Sequence, residues 1–255
     1  MAGNRISIAV TKGFKGIGVL LSLAVLWKVL VLIFQPASFI FPSPEKVLFS
    51  IYDNAGYLSE HAMTTLAEML AGLVVGSIAG IITALIMVQF QVAERLMLPV
   101  IVTTQTLPVF AIAPLLVIWF GFGMGSKVVM ASLIIFFPIA SSFHDGLMRV
   151  DRSWLDLARG WGARPFQILV KIKLPAALPA LASGLKIGAT LAPIGAIVGE
   201  WAGASSGLGY VMLQANARMQ TDLVFAGLLV LAFMACGLRT FVALATDRMI
   251  FWKFN

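Results

Sequence analysis

The chain has 255 residues, of which 60% are hydrophobic and only 11% charged, and its mean hydropathy is +0.98. Soluble domains carry about 25% charged residues, so this composition excludes an ordinary water-soluble globule and makes lipid the main solvent. The net charge of +7 is no sign of nucleic-acid binding, because the cations flank apolar runs instead of clustering with aromatic residues.

A bilayer core of about 30 Å needs about 20 helical residues. Apolar runs of that size lie near 14–34, 62–88, 97–120, 127–148, 180–200 and 223–245, and exposed backbone in lipid must satisfy its own hydrogen bonds. The expectation is an all-α membrane protein with about six transmembrane helices, one domain over residues 1–255.

The first run follows Arg5, Lys12 and Lys15. It is longer than a signal-peptide core and lacks an A-x-A cleavage site, so it is expected to remain as a helix. Residues 35–60 contain Pro36, Pro42 and Pro44, which predict an extended turn and then a short helix starting near Glu45. The second run carries Gly72, Gly76 and Gly80 at four-residue intervals, a face on which another backbone can approach closely, within one subunit or between two. Pro99, Pro108 and Pro114 interrupt the third run and bend it; Pro108 and Pro114 are candidates for lining a pathway.

Between the third and fourth runs, Gly121-Phe122-Gly123-Met124-Gly125-Ser126-Lys127 is a glycine-rich link and not a phosphate loop, since serine stands where the second glycine is required. His61 and His144, the only histidines, are far apart and fit no metal motif, so no metal ligands are expected. Asp145 beside His144 is an interfacial polar neighbour, because adjacent helical residues point in different directions. Charged residues inside spans are costly and usually face the interior. Lys28, Glu68, Lys186 and Glu200 are the candidates for internal pairing; Glu68, Lys186, Glu200 and the neighbouring Trp201 join the pathway set. Cys236, the single cysteine, allows no disulfide framework and no cysteine metal site within the chain.

With the N-terminus inside, the inner segments hold Arg5, Lys12, Lys15, Arg95, Arg149, Arg152, Arg159, Arg164, Lys171, Lys173, Arg248 and Lys253, whereas the outer ones hold Lys46, Lys127 and Arg218. This asymmetry places both termini in the cytoplasm. The inner connection 149–178 combines charge with apolar residues at helical spacing, among them Trp154, Leu157, Trp161, Phe166 and Leu169. Gly162 divides it into two amphipathic halves and permits a reversal of the chain.

Within this connection Asp156-Leu157-Ala158 is followed after three residues by Gly162, after nine more by Ile172, and after one more by Leu174-Pro175. The pattern resembles the loop signature of the inner-membrane permeases of binding-protein-dependent ABC importers, with Asp for Glu and Leu for Ala in the first triplet. The resemblance implies a permease subunit with no chemistry of its own in the inner (plasma) membrane of a prokaryote. It also implies a second permease copy or close relative, an extracytoplasmic solute-binding protein, and cytoplasmic ATPase subunits that hold ATP and magnesium, so that this chain binds no cofactor. The loop then becomes a coupling helix: Trp154, Leu157 and Trp161 fill a groove on the ATPase and Asp156 and Arg159 orient at its rim, with Ala158, Gly162, Ile172, Leu174 and Pro175 completing the motif. Gly199-Glu200-Trp201 and the segment from Gln214 to Asp222 resemble more narrowly the permeases for nitrate, sulfonate, taurine and the thiamine precursor hydroxymethylpyrimidine, the last most of all. An ion-coupled secondary carrier is the rival from another class; it calls for an inverted repeat or ion-binding acidic residues in the spans, and no convincing repeat is present.

Overall fold

The computed structural model describes residues 18, 21–104 and 108–250. The start of the first apolar run, with Arg5, Lys12 and Lys15, lies outside the described residues, as does Lys253. Every regular element among the described residues is helical: α1 (Leu21–Phe34), α2 (Pro44–Asp53), α3 (Ala55–Gln89), α4 (Gln91–Thr104), α5 (Val109–Phe120), α6 (Met124–Met148), α7 (Arg152–Gly160), α8 (Pro165–Ile168), α9 (Leu174–Gly203), α10 (Leu208–Ala217) and α11 (Thr221–Met249). The helical segments Ala55–Gln89, Met124–Met148, Pro165–Gly203 and Thr221–Met249 are long and apolar enough to cross a bilayer, and α1 and α5 are shorter apolar helices. These six helices occupy the six apolar runs.

The third run, expected as one bent helix over 97–120, is two helices. Pro108 precedes α5 with extended backbone, φ −66° and ψ 114°. Proline supplies no N–H for a continuing helix and disfavours helical geometry in the residue before it. Pro99 and Pro114 stay inside α4 and α5. The fifth run is longer than expected: a π-helical turn, Leu169–Lys173, leads into α9, which runs 30 residues to Gly203.

The chain divides into two compact units, residues 1–58 with 211–229, and residues 59–210 with 230–255. In the first, the Trp27 indole donates to the Pro42 carbonyl (3.1 Å). Its ring lies 6.0 Å from Phe41 and 5.6 Å from Phe225, and Thr221 donates to the Phe39 carbonyl. Lys28 pairs with Glu45, which holds the Glu45 carboxyl below its ordinary range.

The second unit is built on small residues that let helix axes approach. A Cβ on Gly72 of α3 would sit 2.4 Å from the Ala131 Cβ of α6, and one on Gly76 would sit 2.9 Å from the Ser132 carbonyl oxygen. The glycine stripe of α3 is therefore used within the subunit. From the other side, Cβ atoms on Gly195 and Gly199 of α9 would lie 2.5 Å from the Ala131 Cα and 3.0 Å from the Lys127 Cα. Numbers rise along α9 as they fall along α6, so the two helices run antiparallel. Close backbone approach of this kind supplies the dispersion contacts that hold helices together in lipid, where burial against water is no driving force. Met69, Ile135, Ile139, Phe143 and Leu147 fill the remaining core with at most 1% exposure.

Candidate functional site

The two ends of the α6–α9 pair carry different chemistry. At the end formed by the start of α6 and the close of α9, helix α10 begins in a buried polar cluster. A helix leaves its first four N–H groups without internal acceptors, and here side chains from other helices take all four. His61 Nδ1 of α3 accepts from Gly207 N–H (3.0 Å) and Thr65 Oγ1 from Leu208 N–H (2.8 Å). Glu200 Oε2 of α9 accepts from Gly209 and Tyr210. Thr65 in turn donates to Glu200 Oε1 at 2.7 Å. A carboxylate at a helix N-terminus is favoured by the dipole as well as by the direct bonds. Thr65 and Glu200 are buried to 1% exposure or less.

The loop reaches this carboxylate because residues 207 and 209 are glycines. A Cβ at Gly207 would lie 2.2–2.4 Å from the Glu200 carboxyl atoms, and the residue's φ of +108° excludes most L side chains. Trp201 closes the same turn, its indole donating to the Gly209 carbonyl (3.1 Å).

Lys127, expected in an outer connection, is 2% exposed. Its ammonium donates to the carbonyls of Phe122, Gly123 and Gly203, so its three donors close the ends of α5 and α9. Beside it Glu68 is 3% exposed, and its Oε2 has no hydrogen-bond partner. Glu68 and Lys127 line a half-open cavity of about 470 Å³ together with Phe122, Met124, Ser205 and Ser206.

At the opposite end of α6, the connection to α9 is organised locally. Asp151 caps α7, accepting from the Ser153 N–H (2.9 Å) and hydroxyl (2.7 Å), which keep its carboxyl below the ordinary range. Helix α7 closes with Gly162 N–H donating to the Arg159 carbonyl (2.9 Å) and Ala163 N–H to the Ala158 carbonyl (3.0 Å). This Schellman arrangement requires a left-handed residue, and Gly162 has φ +76°. Of the apolar face only Ala158 is buried; Trp154 is 64%, Leu157 50% and Trp161 83% exposed. Asp156 and Arg159 form an exposed ion pair at 3.1 Å. Ile172, Leu174 and Pro175 are half-buried where the chain enters α9.

The residues singled out in the sequence thus fall into separate settings. Glu68 and Glu200 share the buried cluster. Lys186 pairs with Asp247 (2.7 Å). Pro108 and Pro114 are exposed, before and within α5. His144 lies 3.4 Å from Glu94 as well as 3.8 Å from Asp145. The capping roles of His61 and Thr65 are not visible in the sequence, because the N–H groups they accept lie more than 140 positions away; Lys127, expected in an outer connection, is buried although two of its three carbonyl partners are close neighbours in the chain. The spacing Gly184, Gly188, Gly195 and Gly199 is a signal that could have paired α9 with α6.

The chain is thus a helical membrane protein with glycine-mediated packing and an exposed amphipathic helix between two long spans. Residues 72–250 match the model of the binding-protein-dependent transport system inner membrane component family, and the chain belongs to that family. A probable ABC transporter permease protein of Haemophilus influenzae is 48% identical, covering 84% of this chain and 86% of its own. The formylaminopyrimidine transport permease protein ThiX of Halalkalibacterium halodurans is 35% identical (88% and 89% covered), and the taurine transport system permease protein TauC of Escherichia coli is 30% identical (86% and 82% covered). In fold, the chain is similar to an inward-facing MetNI methionine ABC transporter chain with a TM-score of 0.61 at 19% identity, covering 76% of this chain and 95% of that one. Family membership decides against the ion-coupled carrier.

Proposed function

We propose that this chain is the permease subunit of an ATP-driven importer for a pyrimidine of the thiamine-precursor kind, hydroxymethylpyrimidine or a close relative. It works in a prokaryotic inner membrane with both termini in the cytoplasm. It pairs with a second copy or a close relative, receives solute from an extracytoplasmic binding protein, and leaves ATP and magnesium to cytoplasmic ATPases. The observation that carries the transport reading is α7, a helix capped at both ends that leaves Trp154, Leu157 and Trp161 in the open. Large apolar side chains held rigidly outside a core act as anchors for a partner. In this reading the three seat in the ATPase groove, Asp156 and Arg159 set the docking angle, and Gly162, Ala158, Ile172, Leu174 and Pro175 complete the loop motif. The pyrimidine rests on the ThiX relative at 35% identity. A sulfonate or taurine importer is the second reading, favoured by the TauC relative at 30%.

Reconstitution into proteoliposomes with the cognate ATPase and binding protein tests this. ATP-dependent uptake of labelled hydroxymethylpyrimidine is the expected outcome. Uptake of taurine alone transfers the assignment to the second reading, and uptake on an ion gradient without ATP overturns both.

A further inference from the structure

A second cavity, of about 340 Å³, opens where the connection between α6 and α9 meets the end of α3. Arg159 at the close of α7 and Lys173 at the entry to α9 line it with Gln89, Val88, Ile168 and Leu169, and no carboxylate is among its lining residues. The two cations lie close enough to repel each other, which costs free energy unless an anion offsets it. Neither charge is fully met by the protein. Arg159 gives one N–H to Asp156 at 3.1 Å, out of the five that a guanidinium carries. Lys173 is half-buried and has no hydrogen-bond or ion-pair partner among the described residues; Glu94 attracts it without reaching ion-pair contact. Lys173 also closes the π-helical turn Leu169–Lys173, an irregularity found frequently at functional sites.

The place of the cavity says which anion fits it. The segment Pro165–Gly203 has 39 residues and Ala55–Gln89 has 35, whereas about 20 cross the hydrocarbon core. The end of α3 and the approach to α9 therefore stand at the level of the lipid headgroups, where Arg95, Arg149, Arg152, Arg164 and Lys171 lie nearby in the chain. Basic pockets between spans at this level take phospholipid headgroups. We infer that the cavity is a binding site for a phosphate group, held by Lys173 and Arg159 and offered by an anionic phospholipid or by phosphate free in solution. The guanidinium fork matches two phosphate oxygens and the ammonium takes a third as a point charge. Val88, Ile168 and Leu169 add an apolar wall suited to the first carbons of a lipid, and the volume falls within the range of small-molecule sites, roughly 300–1,000 Å³. An occupied site relieves the repulsion between the two cations.

The test uses the full-length permease in complex with its ATPase, in detergent, with bound lipid counted by native mass spectrometry. The lipids are dioctanoyl phosphatidylglycerol and dioctanoyl phosphatidylcholine, which share chains and phosphate but differ in net charge. Phosphatidylglycerol is expected to bind about tenfold more tightly, and Lys173→Gln to remove that preference, while Lys171→Gln leaves it within about twofold. Lys171 is exposed and does not line the cavity, so an equal loss in both variants means a diffuse basic surface and overturns the site. A second arm reads the thermal midpoint of the complex in inorganic phosphate against chloride at matched ionic strength. Lipid preference that depends on Lys173 assigns the headgroup as the source; a phosphate-induced rise that depends on Lys173, without lipid preference, assigns the free ion. If neither effect is found, or neither depends on Lys173, the site is overturned. Should Lys173→Gln not assemble, Arg159→Gln takes its place in both arms with the same outcomes. The result does not depend on which solute the chain carries.

Discussion

Helices α7 and α10 face the same physical problem, the orphan N–H and C=O groups at a helix end, and meet it differently. Helix α10 takes acceptors from His61, Thr65 and Glu200, the first two more than 140 positions away in the chain, and buries the result. Helix α7 uses its own neighbours, Asp151 with Ser153 at the start and Gly162 with Ala163 at the close, and leaves its large apolar side chains exposed. The remote cap ties α3, α9 and the start of α10 (residues 208–210) together within the second unit. The local cap ties nothing, so α7 holds its shape without a core and keeps its face for a partner.

If that contrast is right, the two ends must respond differently to mutation. The largest effect is expected for Glu200→Leu, which leaves the Gly209 and Tyr210 N–H groups without their acceptor in a buried site and the Thr65 hydroxyl with only the His61 carbonyl at 3.3 Å. Orphaned donors cost about 1–3 kcal/mol each, so a loss of about 3–5 kcal/mol of unfolding free energy in detergent is expected, with failure to accumulate in the membrane as the extreme. A loss under about 1 kcal/mol would show that water replaces the carboxylate and that the cap is not structural.

Gly162→Val comes next and separates fold from coupling. The substitution meets open space, with no atom within 4 Å of the new Cβ, but it imposes a β-branched residue on φ +76°. The strain is worth roughly 1–2 kcal/mol, confined to a loop that no core depends on. Insertion and thermal stability should fall little, while ATP hydrolysis stimulated by loaded binding protein should drop at least about tenfold. A variant with normal stimulated hydrolysis and transport would remove α7 from the coupling assignment.

The difference between the two caps also explains what could be read from the chain beforehand. Six apolar runs were visible in composition, and proline placement showed a bend in the third but not its division into two helices, while the α7 turn was visible because its parts are close together: Gly162 is recognisable four residues after Ala158. The remote cap was not, since nothing in the neighbourhood of Thr65 or His61 says that residues 207–210 will arrive there. Lys127 was placed outside for a related reason. Charge counting treats a lysine near a glycine-rich turn as solvated, whereas three carbonyls around its ammonium make burial tolerable. Glu200 drew notice as a charge in a span, but its use as a cap emerges only with Gly207 and Gly209 beside it.

The smallest expected effect lies at Asp151, where the local cap can be weakened by pH alone. Its carboxyl is held below the ordinary value of 3.8 by the hydrogen bonds from Ser153. A depressed folded-state value means that the cap's contribution is complete above the unfolded-chain value and is lost as pH falls through the folded one. The Ser153 amide resonance should therefore shift with a midpoint below 3.8, and Asp151→Asn should abolish that titration while preserving the helix, since asparagine is an equally good cap. Because the site is exposed and no buried group leans on it, global unfolding should not follow the same curve. A titration of Ser153 that coincides with acid unfolding of the whole protein would mean that α7 is held by the spans, and that the independence attributed to it is wrong.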